Sequence, residues 1–255
     1  MGRKFIPQDK QKEMLLSFSE KEKRFLAGKS ILVVLLLNYF FYQSLWAMAP
    51  LSVIGVVYFQ TEKRGMMQKK KELAREQFKE LMLLVSTGQR AGFSAENAFI
   101  SSYQDMKALY GEESAICRVI EVLKSGKENN IAFSKLWKQI GGQLGITEIK
   151  EFAQVYEISH ESSGNMAAVM DKTADIIVRR IETEKEIAVL LSARKLEQKI
   201  MNVMPFAIML YISITSPGYF QGLYHSLGGA LIMSVCLLLY VSAYVLSVKM
   251  ISIEI

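Results

Sequence analysis

The sequence predicts an all-α, multi-pass membrane protein in which a six-helix cytosolic bundle lies between two transmembrane hairpins. Three observations predict it. Two long stretches, Ser30 to Thr61 and Met201 to Val248, carry no charge in a chain that is 22% charged overall. Basic residues gather on the flanks of both stretches. Between them, apolar residues recur at helical spacing and no proline interrupts.

Composition narrows the class before any motif is read. The chain has 255 residues, 51% of them hydrophobic, with a mean hydropathy of +0.18. That apolar content, with a net charge of only +6, excludes disorder. Two cysteines cannot staple a fold of this length, and 16 glycines with 4 prolines exclude a collagen-like chain.

Residues 1–24 read as a charged cytosolic N-terminal segment. A cleavable leader would place its apolar run earlier and follow it with small residues, so the run after it reads as a retained anchor. Residues 25–60 form the first transmembrane hairpin, with Ile31–Tyr42 and Leu45–Phe59 on either side of Gln43-Ser44. Thirty-two uncharged residues suit two short spans or one long tilted helix. The flanks favour the hairpin. Lys21, Lys23, Arg24 and Lys29 precede the run, and Lys63, Arg64, Lys69, Lys70, Lys71 and Arg75 follow it. Cytoplasmic flanks are the basic ones, so both ends belong inside. Phe25–Leu26 lengthen the first span, with Lys29 snorkelling to the interface.

Residues 61–75 read as a basic juxtamembrane linker, 76–199 as the cytosolic helical domain, 200–248 as the second hairpin and 249–255 as a cytosolic tail. Ser216-Pro217-Gly218 marks the outer turn of the second hairpin. Arg194, Lys195 and Lys199 precede that hairpin and Lys249 follows it, which again places both ends inside. Lys29, Lys63, Arg64, Lys69, Lys70, Lys71, Lys199 and Lys249 are the expected membrane-interface residues. Cys117 is then cytosolic and Cys236 lies in the membrane, so the two are not expected to pair.

A sequence pI near 9.1 raises the question of nucleic acid. The excess charge answers it. Residues 1–29 and 62–75 each carry net +4, whereas residues 76–200 carry net −2. The basic excess sits beside the membrane, where anionic headgroups attract it, and no nucleic-acid partner is expected.

The cytosolic helices follow from spacing and caps. Ala74, Phe78, Leu81, Met82 and Val85 form one stripe, expected to end at Gly88. Ser94 is positioned to cap a helix from Ala95, with Asn97 at the third helical position. A third helix is expected over Glu112–Leu123, stopped by Ser125-Gly126, and Asn130 should cap a fourth over Ile131–Ile140, stopped by Gly141-Gly142. Thr147 should cap a fifth carrying Ile149, Phe152, Ala153 and Tyr156, ending near Ser163-Gly164. Asn165 restarts the chain, and no breaker follows before Met204. If continuous, that last helix is roughly 60 Å long and runs from the cytosolic domain into the third span.

No catalytic constellation emerges, and no cofactor or metal is expected. Gly28-Lys29-Ser30 lacks the earlier glycine of a phosphate-binding loop. His160-Glu161 lacks the second histidine of a zinc helix, since position 164 is glycine. Buried acids or arginines, the usual parts of a membrane ion relay, are missing from the uncharged runs.

Two local patterns carry a resemblance. Ser86-Thr87-Gly88-Gln89-Arg90-Ala91-Gly92-Phe93-Ser94-Ala95-Glu96-Asn97-Ala98-Phe99 resembles the "L-x-A-G-x-S-L-x-x-A-L" stretch of the type II secretion system F domain. Glu161-Ser162-Ser163-Gly164-Asn165-Met166-Ala167-Ala168-Val169-Met170 resembles that family's "E-x-G-G-N-L-x-x-V-L", with Ser163 in place of its first glycine. With the order of spans, residues 30–255 are similar to TadB/TadC-like platform proteins of Tad/Flp pilus assembly. The resemblance implies a non-enzymatic protein of the bacterial inner membrane, with both termini and the central domain cytoplasmic. Its implied partners are a hexameric cytosolic secretion ATPase, a paralogous platform subunit, pilin subunits and membrane lipids, in a homo- or hetero-oligomer. It marks Arg90, Glu161 and Asn165 as partner-binding residues, and Gly88, Gly92 and Gly164 as structural turns. The competing expectation is a four-span signal transducer with a helical relay domain, for which outer turns this short leave little sensing surface.

Overall fold

The computed structural model describes residues 20–42, 48–161, 166–216, 218–224 and 226–253. Every regular element among the described residues is a helix: α1 Glu20–Phe41, α2 Met48–Arg90, α3 Ala95–Ser101, α4 Tyr103–Tyr110, α5 Ala115–Glu128, α6 Phe133–Leu144, α7 Thr147–Glu161, α8 Met166–Leu190, α9 Ser192–Thr215, α10 Gln221–Tyr224 and α11 Leu227–Ile253. Contacts divide the chain into a helical unit, Gly65–Thr183, and a second unit made of 20–64 with 184–253. The passage from one to the other falls inside α2 and again inside α8. Residues 61–75, expected as a linker, are helical throughout.

In the helical unit the stripe expected from the sequence, Ala74, Phe78, Leu81, Met82 and Val85, is fully buried. It packs against a cluster of rings. Trp137 and Phe152 lie 4.8 Å apart in edge contact, with Phe99 5.0 Å from Trp137 and Phe78 5.6 Å from Phe152. These are favoured aromatic geometries, and truncating one such ring in a core costs about 3–5 kcal/mol.

Glycine plays two roles here, and spacing alone confuses them. Gly88 does not end its helix. It lies inside α2, where a Cβ would stand 3.2 Å from that of Ala98. The helix ends two residues later, with Gly92 at φ 96. The Phe93 N–H donates to Gly88 O (3.1 Å) and the Gly92 N–H to Gln89 O (2.9 Å). This is the paired bonding of a Schellman cap. Gly126 likewise fails to stop α5, because its bare face accommodates Leu136 of α6. Asn130 is not an N-cap. At φ 56 it closes α5 through Asn130 N–H to Lys127 O and Ile131 N–H to Gly126 O. Helix α6 therefore starts only at Phe133, and it runs past Gly141-Gly142 to end at Gly145, φ 62. Gly141 is buried where α6 meets the α7 backbone, and a Cβ there would lie 3.2 Å from Lys150 Cα.

Two further boundaries move. The helix from Ala95 breaks at the buried Ser102, whose hydroxyl donates to Ala98 O, so α3 and α4 are separate. Helix α5 starts at Ala115 rather than Glu112, because Ser114 takes the cap and accepts from Cys117 N–H.

The second unit buries little. Leu37, Phe40, Phe41, Leu51, Met233 and Leu237 form its core. Polar groups join its helices at a few points: Tyr42 to Ser234 (2.7 Å), Tyr224 Oη to Phe40 O (2.7 Å), Tyr240 Oη to Asn202 O (3.1 Å) and Gln198 to Ser247 (2.7 Å). Two helices among the described residues are long and apolar enough to cross a membrane, Glu20–Phe41 and Gly228–Val248. Their apolar windows are only 28% and 11% buried, far less than a soluble core helix would be, which makes the unit compatible with membrane association. The other two expected spans fall in α2 and α9 and do not meet that mark alone. The apolar run of α2 yields to charge at Glu62, and α9 opens with Arg194, Lys195, Glu197 and Lys199.

The long helix expected from Asn165 is interrupted at Leu191, between α8 and α9. Its path is kept, since Leu191 N–H donates to Ile187 O and Lys195 N–H to Leu191 O, each at 3.0 Å.

The adjacent glycines of α6 give a paired test. Gly142 has open space around it, so Gly142→Ala should stabilise the full-length chain by up to about 1 kcal/mol through helix propensity. Gly141→Ala should lose that gain against the α7 backbone. Urea unfolding followed by circular dichroism compares them, and equal gains would contradict the close approach.

Candidate functional site

Polar side chains of α2 inside the helical unit reach the ends of other helices. Lys71 Nζ lies 3.5 Å from Gly145 O, at the C-terminus of α6, where a cation is favoured. One turn on, the Arg75 guanidinium donates to Glu148. Glu148 is buried in the first turn of α7, where the helix dipole favours a carboxylate. Gln77, also buried, accepts through Oε1 from the Ile116 N–H at 3.2 Å and so serves the start of α5. Lys79 lies among Glu80, Glu76 and Glu182, at 3.3, 3.8 and 3.7 Å. Partial burial acts to lower the Lys79 ammonium, but its carboxylates outweigh that and hold it above its ordinary range.

The last of these contacts forms the candidate site. Ser86 and Arg90 stand one turn apart on α2 and converge on Asp171 of α8. The Ser86 hydroxyl donates to Asp171 Oδ1. Arg90 Nη2 lies 2.8 Å from Oδ1 and 3.0 Å from Oδ2. The Ser86 hydrogen bond, then the Arg90 guanidinium, hold the Asp171 carboxyl below the usual carboxylate range. The Arg90 side chain remains 68% exposed and meets Asp171 through Nη2 only, which leaves guanidinium N–H donors for an acidic partner.

Arg90, marked in the sequence for partner contact, thus also positions α8 against the end of α2. Glu161 is the final residue of α7, and its side chain lies outside the described residues, as do Gly164 and Asn165. Asp171 and Ser86 escaped sequence reasoning. A single carboxylate on an amphipathic helix reads as a solvated face, and only the i, i+4 pairing of Ser86 with Arg90 hinted at a shared partner.

The interface lysines divide. Lys29 pairs with Glu62, with the Tyr58 ring 6.0 Å from Nζ. Lys63, Arg64 and Lys69 are exposed on α2, and Lys199 is exposed on α9. Lys70 is half-buried, and Lys71 turns to Gly145 instead of a headgroup. The Lys249 side chain lies outside the described residues. No group of three His, Cys, Asp or Glu side chains that could hold a metal occurs among the described residues. No family model matches the chain, and no curated protein or solved structure matches it.

Because the folded Asp171 carboxyl is depressed, its contacts stabilise the fold above the unfolded carboxyl's range near about pH 4, and that contribution is lost as pH falls through the lower folded value. Ser86→Ala and Arg90→Ala should each raise the Asp171 titration toward the ordinary range. Carboxyl-carbon NMR of labelled protein measures it, and an unchanged midpoint in both variants would remove the two contacts as its cause.

Proposed function

We propose that this chain is an inner-membrane platform protein of a type II secretion or Tad-type pilus assembly machine, not an enzyme, in which a cytosolic F-type helical bundle lies between two membrane hairpins. Both termini and the bundle face the cytoplasm. The observation that best supports this is the pairing of Lys29 with Glu62. These two residues bound the uncharged stretch Ser30–Thr61, and their contact brings its ends together as a hairpin requires. The weak burial of the apolar helices is consistent with lipid around them.

In this reading the cytosolic secretion ATPase acts on the helical unit. Its movement passes along α8, through the hydrogen-bonded step at Leu191, into α9, where pilin subunits meet the spans. The exposed part of Arg90, with Glu161 and Asn165, forms the contact face for the ATPase or for a paralogous platform subunit.

Co-purification with the cognate secretion ATPase from mild detergent tests the reading. Wild type should retain the ATPase and Glu161→Lys should lose it while staying folded. Arg90→Asp should fail for two reasons, loss of the contact face and loss of the Asp171 clamp. Adding Asp171→Arg should restore the clamp without restoring binding. An ATPase that never co-purifies, even after crosslinking in cells, would overturn the platform assignment.

A further inference from the structure

The second unit holds an open groove of about 730 Å³ between the start of α9 and the end of α11. This is within the usual size of small-ligand pockets. Its wall changes character along its length. Met201 and Leu246 supply an apolar floor on one side, and Arg194 and Glu197 stand on the other, with Leu191 and Met250 on that same side. The hydrogen bond from Gln198 Nε2 to Ser247 Oγ, 2.7 Å, ties the two helices between those regions.

The two charges decide what fits. Arg194 and Glu197 are both exposed, and neither forms an ion pair with another described residue or with its neighbour one turn away. They leave a cation and an anion side by side above an apolar trough. The same place is the edge of the charge-free stretch that begins at Met201 and ends at Val248. Arg194 and Glu197 fall outside that edge and Met201 and Leu246 inside it, as the headgroup and acyl levels of a bilayer would be arranged.

We propose that this groove binds one phospholipid with a zwitterionic head carrying a primary ammonium, of the phosphatidylethanolamine type. The phosphate lies at the Arg194 guanidinium, which is suited to bidentate phosphate contact. The ammonium lies at the Glu197 carboxylate, and acyl chain covers Met201 and Leu246. An anionic lipid without the ammonium leaves Glu197 uncompensated beside its own charge, and a choline head cannot donate to the carboxylate. The lipid then fills the seam between α9 and α11. The inference rests on the membrane reading above.

Native mass spectrometry of the full-length chain, released from detergent and titrated with phosphatidylethanolamine, phosphatidylglycerol or phosphatidylcholine, tests it. Wild type should prefer phosphatidylethanolamine roughly tenfold, equivalent to about 1.4 kcal/mol. Glu197→Gln should abolish the preference over phosphatidylglycerol, and Arg194→Ala should weaken all three lipids. Lys172→Ala, on α8 and not among the residues that line the groove, should change nothing. A wild-type preference for phosphatidylglycerol would overturn the zwitterionic assignment. Equal retention of all lipids by wild type and both groove variants would overturn the site. A dimer that excludes lipid would give the groove to a second copy and overturn it too. Recovery of the chain outside the membrane fraction would instead strike at the membrane reading itself, before any lipid is added.

Discussion

Helix ends are the weak points of an all-α domain, because each leaves backbone donors or acceptors without intrahelical partners. In the helical unit, α2 meets that requirement at two ends, through Lys71 at Gly145 O and Gln77 at the Ile116 N–H, and it pairs side chain to side chain with α7 and α8. Its apolar stripe, Phe78 to Val85, fills the core, and residues one turn away serve the end of α6, the starts of α5 and α7, and the first turns of α8. Close packing of rings such as Trp137 already sets much of the register of the short helices. The polar contacts reinforce where along α2 each one sits. Gly88 and Gly141 then allow close approach to Ala98 and to the α7 backbone.

The second unit follows a different rule. Its helices bury few residues against each other and turn large apolar side chains outward, among them Leu32, Leu35, Leu231 and Leu238. Among the described residues a small apolar core and scattered tyrosine, serine and glutamine contacts join them, and in an apolar surrounding such polar contacts tie helices together without a hydrophobic driving force. Lys29 and Glu62 show the same economy, since one ion pair closes the first apolar stretch. The chain thus has one unit organised by an aromatic core and another whose exposed apolar face is compatible with a membrane.

The all-α class was legible because two signals agreed, helical periodicity in the charged region and total loss of charge on either side of it. The stripe from Ala74 to Val85 and the Ser94 cap could be read directly, and both are present. Helix ends were read less well. Glycine permits a positive φ and also omits a side chain, and spacing does not say which use applies. Gly92 and Gly145 serve the first use, and Gly88, Gly126 and Gly141 the second. Asn130 was misassigned for a related reason, because asparagine suits both an N-cap and a left-handed C-terminal position. At the candidate site, Arg90 was legible as an unusual charge beside a turn. Asp171 was not, since its partners are far away in sequence and meet it only once α8 docks on α2.

In the proposed topology the helical unit stands on the cytoplasmic side of a membrane crossed by paired helices. Labelling of intact cells with a membrane-impermeant maleimide tests this most directly. In a Cys236→Ala background, where buried Cys117 is shielded, a cysteine at Tyr219 should be labelled from outside, while one at Lys124 should be labelled only after permeabilisation. Labelling of the Lys124 site in intact cells, with the Tyr219 site protected, would contradict the account.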